Sequence, residues 1–152
     1  RGSVVPIFLK QNESNDPFTI TDNRMTRFNI SLKEAVNFVI NCLKIMKGAE
    51  IFVPKIPSYK ILDLVKAINP RKKIKYIGSR PGEKIDEEMI SETDAINTKE
   101  FKNYFIIYPS FYKIKKGKKV SSYSSKNNKQ FLLSNEIKIL IKKNSYSFEL
   151  EK

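Results

Sequence analysis

Histidine is absent from the 152-residue sequence, and cysteine occurs once, as Cys42. Without histidine the chain cannot supply a histidine general base, a serine-type triad or a histidine zinc site, and one cysteine does not replace those groups. A single cysteine also excludes an internal disulfide. Because Cys42 falls on the apolar face of a predicted helix, we expect a small buried hydrophobe there rather than a reactive thiol. Independent hydrolytic chemistry is therefore disfavoured.

Long apolar runs are missing as well. No run approaches the roughly 18 residues that a membrane span needs, and the N-terminus lacks the order of charged, apolar and small residues typical of a signal peptide. We therefore expect a soluble protein of the cytoplasm with no membrane partner. No G-x-G-x-x-G motif follows a predicted strand, so the glycine-rich fingerprint of a dinucleotide-binding Rossmann unit is absent.

Positive charge, by contrast, is in excess, with a formal net charge of +13 and a pI near 9.7. Such a balance is typical of nucleic-acid-binding proteins. The lysines crowd between positions 113 and 143, where Glu136 is the one acidic residue, whereas residues 83–100 are rich in acids. The abundance of Lys, Ile and Asn is what compositional drift toward AT-rich codons would give. We therefore favour a solvated basic surface over RNA or DNA binding.

The hydrophobic content of 40% and the chain length predict a globular protein. The pattern of helical and extended segments along the chain predicts a mixed α/β class, with short strands and two to four helices. The clearest element is an apolar helix that begins with a capping box of Ser31 and Glu34 and ends at Gly48. Another helix is expected after Ser58 as its N-cap. The remaining helical segments are predicted near residues 4–9, from Ser134 onward and, as a short turn, at residues 91–95. Strands are predicted at residues 17–21, 50–53, 73–78, 88–90, 100–101 and 104–108.

The sequence Arg-Pro-Gly-Glu-Lys at positions 80–84 follows the predicted strand 73–78 directly. The planar guanidinium of arginine makes paired, charge-assisted hydrogen bonds with phosphate, and Pro-Gly supplies a sharp bend that an anion can approach. This pattern predicts contact between Arg80 and a phosphate-bearing ligand. The alternative is a surface arginine paired with Glu87 or Glu88.

Further segments carry a resemblance to one family. They include Met-Thr-Arg-Phe at 25–28, Val-Pro-Lys-Ile-Pro-Ser at 53–58 and Tyr-Ser-Ser-Lys-Asn-Asn at 123–128. In order and spacing the chain resembles the C-terminal half of inverting UDP-N-acetylglucosamine 4,6-dehydratases, extended short-chain dehydrogenase/reductase enzymes of polysaccharide biosynthesis. The resemblance covers nearly the whole chain. It implies a sugar-nucleotide-binding portion at residues 1–112 and a basic C-terminal appendage with a final helix at residues 113–152.

The resemblance also implies roles for charged residues. Arg80 would contact the diphosphate of a UDP-sugar, and Arg27 would add a second cation near the same diphosphate, which carries two negative charges. Glu83 would accept hydrogen bonds from the ribose or the uracil, because a carboxylate takes two donors at once. The alternatives are an ion pair between Arg27 and Asp22, and a Glu83 side chain that only solvates its turn.

Three uncharged residues complete the set that the resemblance implies. Ile20 and Thr21 would line the base pocket through backbone groups. Ser3 would reach the sugar or the diphosphate, although a serine at the start of a helix commonly serves only as an N-cap.

The catalytic residues of the family are not found in this sequence. No Tyr-x-x-x-Lys pair falls on a predicted helix, and no Thr, Asp and Lys cluster of the kind that drives the elimination is present. We therefore expect a fragment, inactive alone, whose NADP-binding Rossmann half lies upstream and which is homo-oligomeric when intact. The alternatives are a fragment of a UDP-sugar 4-epimerase or of a retaining dehydratase, and a basic nucleic-acid-binding module.

Overall fold

The structure is a computed structural model that describes residues 4–112 and 120–145. The described part contains five helices, named α1 (Val4–Glu13), α2 (Leu32–Ile45), α3 (Ile61–Ile68), α4 (Glu92–Ala95) and α5 (Ser134–Ser145). Its strands are β1 (Phe18–Ile20), β2 (Thr26–Phe28), β3 (Ile51–Pro54), β4 (Ser58–Lys60), β5 (Ile74–Tyr76), β6 (Glu88–Ile90), β7 (Thr98–Glu100), β8 (Tyr104–Ile107) and β9 (Tyr123–Ser124). The mixed α/β class is confirmed. Helix α4 corresponds to the short helical turn predicted at residues 91–95 and brings the number of helices to five.

The strands form four small sheets. β1 and β5 are parallel, whereas β2 pairs with β4 and β6 with β9 in antiparallel fashion, and the order β3-β8-β7 makes an antiparallel sheet. The parallel register joins Phe18 to Ile74 and Ile20 to Tyr76. Because both strands of this pair run in the same direction, the residues that follow them emerge at one edge.

The start of α2 confirms the predicted capping box. The Ser31 hydroxyl accepts a hydrogen bond from the Glu34 backbone N–H, and the Glu34 carboxylate accepts one from the Ser31 N–H at 2.9 Å. Such a cap stabilises a helix by about 1 kcal/mol. The helix ends at Ile45, and the chain leaves through Gly48, whose φ of +125° is one that residues with a side chain rarely adopt.

The prediction that Ser58 caps the next helix is wrong. Ser58 lies in β4, fully buried, where it pairs with Phe28, and its hydroxyl accepts a hydrogen bond from the Asn128 amide at 2.9 Å. Helix α3 begins only at Ile61, after Lys60, without a side-chain cap. Pairing with a strand that lies 30 residues earlier has overridden the local capping preference of serine.

Two clusters of buried side chains form the interior. The first contains Phe8, Phe18, Ile20, Met25, Tyr59, Ile61, Leu64, Val65, Ala67 and Ile137. The second contains Val53, Ile90, Ala95, Phe105, Val120 and Tyr123. Residues 120–145, called the C-terminal segment below, thus contribute side chains to both clusters. The domain division between residues 112 and 113 stays a prediction.

Helix α2 is unusual because none of its residues is buried. Leu32 and Leu43 are 82% and 63% exposed, and four further apolar side chains of the helix are at least 46% exposed: Val36, Val39, Ile40 and Ile45. The expectation that Cys42 is buried is wrong, since its side chain is partly exposed, although partial desolvation still raises the pKa of the thiol. None of the described helices is long and apolar enough to span a bilayer.

Candidate nucleotide-binding site

The carboxyl edge of the β1–β5 pair carries a cleft of about 270 Å³. Its lining comes from both strands and the turns after them: Thr21, Asp22, Asn23, Tyr76 and Gly78. The Ile77 N–H donates to the Ile20 carbonyl at 2.9 Å, which holds the two strand ends together. In open α/β folds, ligands bind outside the carboxyl ends of parallel strands. This edge is therefore the candidate site.

The turn at residues 80–83 stands beside this edge. Proline at its second position and Gly82, with φ +80°, at its third have the geometry of a type II turn. The Glu83 N–H donates to the Arg80 carbonyl at 3.0 Å, and the Arg80 N–H donates to the Glu83 carboxylate at 3.2 Å. A residue with a side chain at position 82 would be strained, so the sequence itself specifies this bend.

Glu83 connects the turn to β1. The Thr21 hydroxyl donates to its carboxylate at 3.2 Å, across 62 residues of sequence. The structure therefore brings together Thr21, Arg80 and Glu83, three of the residues predicted for the site. Arg80 is exposed, and no ion pair involving it is found within residues 4–112 and 120–145, so the alternative pairing with Glu87 or Glu88 is not formed there.

Arg27 lies against the chain that leaves the turn. Its Nη1 donates to the carbonyls of Thr26 and Ile85 at 2.7 and 2.9 Å, and its Nη2 donates to the carbonyl of Lys84 at 3.1 Å. Its Nε is 3.8 Å from the Glu87 carboxylate. The alternative partner for Arg27 proposed from the sequence, Asp22, is instead bound by Arg24.

That Asp22–Arg24 ion pair stands at the cleft. The Arg24 guanidinium is 2.7 Å from the Asp22 carboxylate, and the hydrogen bonds from Arg24 lower the pKa of Asp22 to about 2. Asp22 therefore stays ionised over the whole physiological range of pH. The pair is balanced in charge, whereas the exposed Arg80 forms no ion pair within the described residues, so an anionic ligand can reach its guanidinium.

Ile20 and Ser3 are the two remaining residues that the sequence predicted for the site. Ile20 is 1% exposed, so its side chain belongs to the first buried cluster, and its carbonyl is bound by Ile77. Contact between Ile20 and a base stays a prediction. Ser3 lies outside the described residues.

A buried network of polar groups was not predicted. Ser125 is fully buried; its hydroxyl is 2.6 Å from the Thr26 hydroxyl and accepts a hydrogen bond from the Glu87 N–H at 2.9 Å. The Thr26 hydroxyl donates to Asp86 at 2.8 Å. The only signal in the sequence was the Tyr-Ser-Ser segment at 123–125, to which no role had been assigned.

None of the helices α2, α3 and α4, each of which begins within a few residues of the end of a described strand, fits the phosphates of a dinucleotide. Such a cofactor needs a glycine-rich turn between strand and helix. The first turn of α2 is occupied by the Ser31 and Glu34 side chains, and α3 begins directly after β4 with no glycine between them. The short helix α4 follows β6 after Ser91 alone, with no glycine between them. These residues therefore do not form an NADP site. Moreover, no group of three or more potential metal ligands is found in the described part of the chain.

Comparison with known proteins identifies the family of the chain. The sequence profile of a family described as "Polysaccharide biosynthesis protein" matches residues 1–109. The chain therefore belongs to the polysaccharide biosynthesis protein family. A solved structure, Pen from Bacillus thuringiensis, superposes with a TM-score of 0.78 at 33% identity and covers 94% of this chain and 45% of that one. It supports the extended short-chain dehydrogenase/reductase fold.

Named relatives refine the family. Within it, an inverting UDP-N-acetylglucosamine 4,6-dehydratase of Campylobacter jejuni serotype O:2 is 48% identical over 84% of this chain and 43% of its own length. An uncharacterized membrane protein of Methanocaldococcus jannaschii is 38% identical over 96% and 46%. A UDP-glucose 4-epimerase of Rickettsia bellii is 34% identical over 93% and 45%. The chain spans about half the length of the curated relatives it matches.

Proposed function

We propose that this chain is the sugar-nucleotide-binding portion of an inverting UDP-N-acetylglucosamine 4,6-dehydratase. The observation that carries the proposal is the Arg80 turn, which stands at the carboxyl edge of a parallel strand pair and is tied to β1 through Thr21 and Glu83. The 48% identity to a dehydratase, against 34% to an epimerase, favours this activity.

The cleft suits a nucleoside diphosphate. The exposed guanidinium of Arg80 can make paired hydrogen bonds with phosphate oxygens. The Glu83 carboxylate, oriented by Thr21 and by the Arg80 N–H, can accept hydrogen bonds from ribose hydroxyls or from the base. Tyr76, 54% exposed in the cleft wall, offers a ring face to the base. Contacts from Ser3 and Ile20 also stay proposals.

The role of this chain in the reaction would be binding and orientation. The family reaction removes hydride from sugar C4, eliminates water across C5 and C6, and returns hydride to C6 with inversion at C5. NADP supplies the hydride chemistry, and residues outside this chain would hold it. Fixing the nucleotide holds the sugar ring in one position, which lowers the entropic part of the barrier.

The rest of the family fold is the proposed partner of α2. A helix of 14 residues with no buried side chain leaves an apolar face that water solvates poorly. The relatives are about twice as long as this chain, so a second half of comparable size is available to cover it. We also propose that the intact protein is a homo-oligomer, as the family resemblance implies, and that it lies in the cytoplasm.

Titration of the chain with UDP tests the proposal. Arg80→Ala should weaken UDP binding by at least about tenfold, because it removes a charge-assisted pair of hydrogen bonds. Arg71→Ala is the matched control, since Arg71 is an exposed arginine just before the opposite end of β5, and it should leave the affinity within about twofold. Failure of UDP to bind, or equal effects of both variants, would refute the proposal.

Two further measurements separate the alternatives. With an amino-terminal half from a dehydratase relative added, the chain should convert UDP-N-acetylglucosamine to the 4-keto product inverted at C5. A product epimerized at C4 would instead support the alternative of a UDP-sugar 4-epimerase fragment. Turnover by this chain alone would contradict its proposed role. Binding of RNA or DNA that falls steeply with ionic strength, without competition by UDP, would support the basic nucleic-acid-binding module instead.

A further inference from the structure

Residues 84–87 directly follow the Arg80 turn and are hydrogen-bonded from two sides by residues that lie outside the turn. On one side, the guanidinium of Arg27 bonds the carbonyls of Lys84 and Ile85, and the Thr26 N–H donates to the Ile85 carbonyl at 3.1 Å. Lys84 directly follows Glu83. Arg27 therefore holds the chain one residue away from a group that the proposed site uses.

On the other side stands Ser125, from the C-terminal segment. Its backbone N–H donates to the Glu87 carbonyl at 2.7 Å, while its hydroxyl accepts from the Glu87 N–H. The Thr26 hydroxyl donates to the Asp86 carboxylate, and the Ser125 hydroxyl donates to Thr26, whose hydroxyl oxygen is 2.6 Å away and whose backbone carbonyl is 3.2 Å away. Every member of this buried network therefore has a partner, and such networks hold a single arrangement.

The hydrogen bonds of Arg27 bear on whether it reaches the ligand. Both of its amino groups are already engaged by backbone carbonyls, and its Nε faces Glu87. A diphosphate that bound Arg27 with a paired geometry would have to displace these carbonyls. Arg80, by contrast, is exposed and has no ion-pair partner among the described residues.

We propose that Arg27 and Ser125 are positioning residues, which hold residues 84–87 so that the Arg80–Glu83 turn is ordered before the nucleoside diphosphate arrives. This inference rests on the proposed function. An ordered turn binds more tightly because less conformational freedom is lost on binding. The C-terminal segment around Ser125 would then contribute to nucleotide affinity without contacting the nucleotide.

A double-mutant cycle on the complete chain, read out as UDP affinity by calorimetry, tests this. Arg27→Met retains much of the apolar stem and removes the donors, and we expect a loss of about five- to tenfold in UDP affinity. In an Arg80→Ala background the same substitution should cost less than it does in the unmodified chain, because the ordered turn then presents only Glu83 to the nucleotide. Ser125→Ala deletes one oxygen atom and should also weaken UDP binding more in the unmodified chain than in the Arg80→Ala background. If Arg27→Met does not fold, the same comparison is made with Ser125→Ala alone.

The outcomes separate the inference from the proposed function. If Arg80→Ala does not weaken UDP binding, the proposed function fails. If Arg80→Ala weakens binding and the losses from Arg27→Met and Arg80→Ala are additive, Arg27 contacts the diphosphate itself and its positioning role is refuted. Unchanged affinity in Ser125→Ala would likewise overturn the part of the inference that concerns the C-terminal segment.

Discussion

Tyr76 offers the cleft an aromatic ring through which it can distinguish a nucleotide from a simple phosphate. It follows Ile74 on the same face of β5, yet it is 54% exposed where Ile74 packs against the first buried cluster. An exposed ring at the wall of a polar cleft is suited to stacking on a base.

Replacement of Tyr76 by Ala should therefore weaken UDP binding by about tenfold, since stacking of a base on an aromatic ring contributes roughly 1–3 kcal/mol. The affinity for inorganic pyrophosphate should stay unchanged, and Tyr76→Phe should bind UDP almost as well as the unmodified chain. Tyr112→Ala, at an exposed tyrosine outside the cleft lining, is the control. Equal losses for UDP and pyrophosphate would show that the ring does not contact the base.

Tyr59 makes a second prediction at this scale, through pH. It is 7% exposed, and burial, together with the Glu87 charge, raises its pKa to about 12. In the unfolded chain the Tyr59 hydroxyl ionises near pH 10, whereas in the folded chain it stays neutral up to about pH 12. The contribution of Tyr59 to the free energy of unfolding is therefore fully present below pH 10 and is lost as the pH rises through about 12. In denaturant unfolding between pH 9 and 12, Tyr59→Phe should lose up to about 3 kcal/mol less than the unmodified chain. Parallel pH curves for both chains would contradict this.

At the scale of elements, α2 combines a well-formed start with an uncovered face. Its cap depends on two residues three positions apart, so its beginning could be predicted from the sequence. Most of its apolar side chains stay exposed within the described residues, and none of them is buried. The exposed face predicts an assembly with the other half of the family fold.

Leu43→Glu places a charge on that face and should abolish co-purification with an amino-terminal half from a relative, because the charge would be buried without a partner. The thermal midpoint of the isolated chain should change little, since Leu43 is 63% exposed. Lys44→Glu, a change to an exposed neighbour, should preserve the assembly. Persistent co-purification of the Leu43→Glu variant would show that another surface joins the halves.

Local sequence patterns predicted much of the fold. The predictions that failed concern residues whose structure depends on contacts with residues distant in sequence. The Pro-Gly bend at residues 81–82 and the capping box at Ser31 depend on neighbours in sequence, and both are formed. Ser58 was assigned to a helix cap because its pairing with Phe28 leaves no local signal. The Ser125 network joins residues 99 positions apart, so periodicity and turn chemistry contained no information about it.

At the scale of the whole molecule, two buried clusters support one cleft. The first cluster holds the β1–β5 pair against α1, α3 and α5, and the second holds β6 and β9, which flank the network around Glu87. The C-terminal segment contributes Ile137 to one and Tyr123 to the other. The site thus depends on contacts spread over most of the described chain.

A crystal structure of the chain soaked with UDP tests the central claim most directly. The account predicts diphosphate oxygens within hydrogen-bonding distance, about 2.7–2.9 Å, of the Arg80 guanidinium, with the nucleoside in the cleft between Thr21 and Tyr76. A diphosphate bound at any other surface, with Arg80 left in solvent, would contradict it.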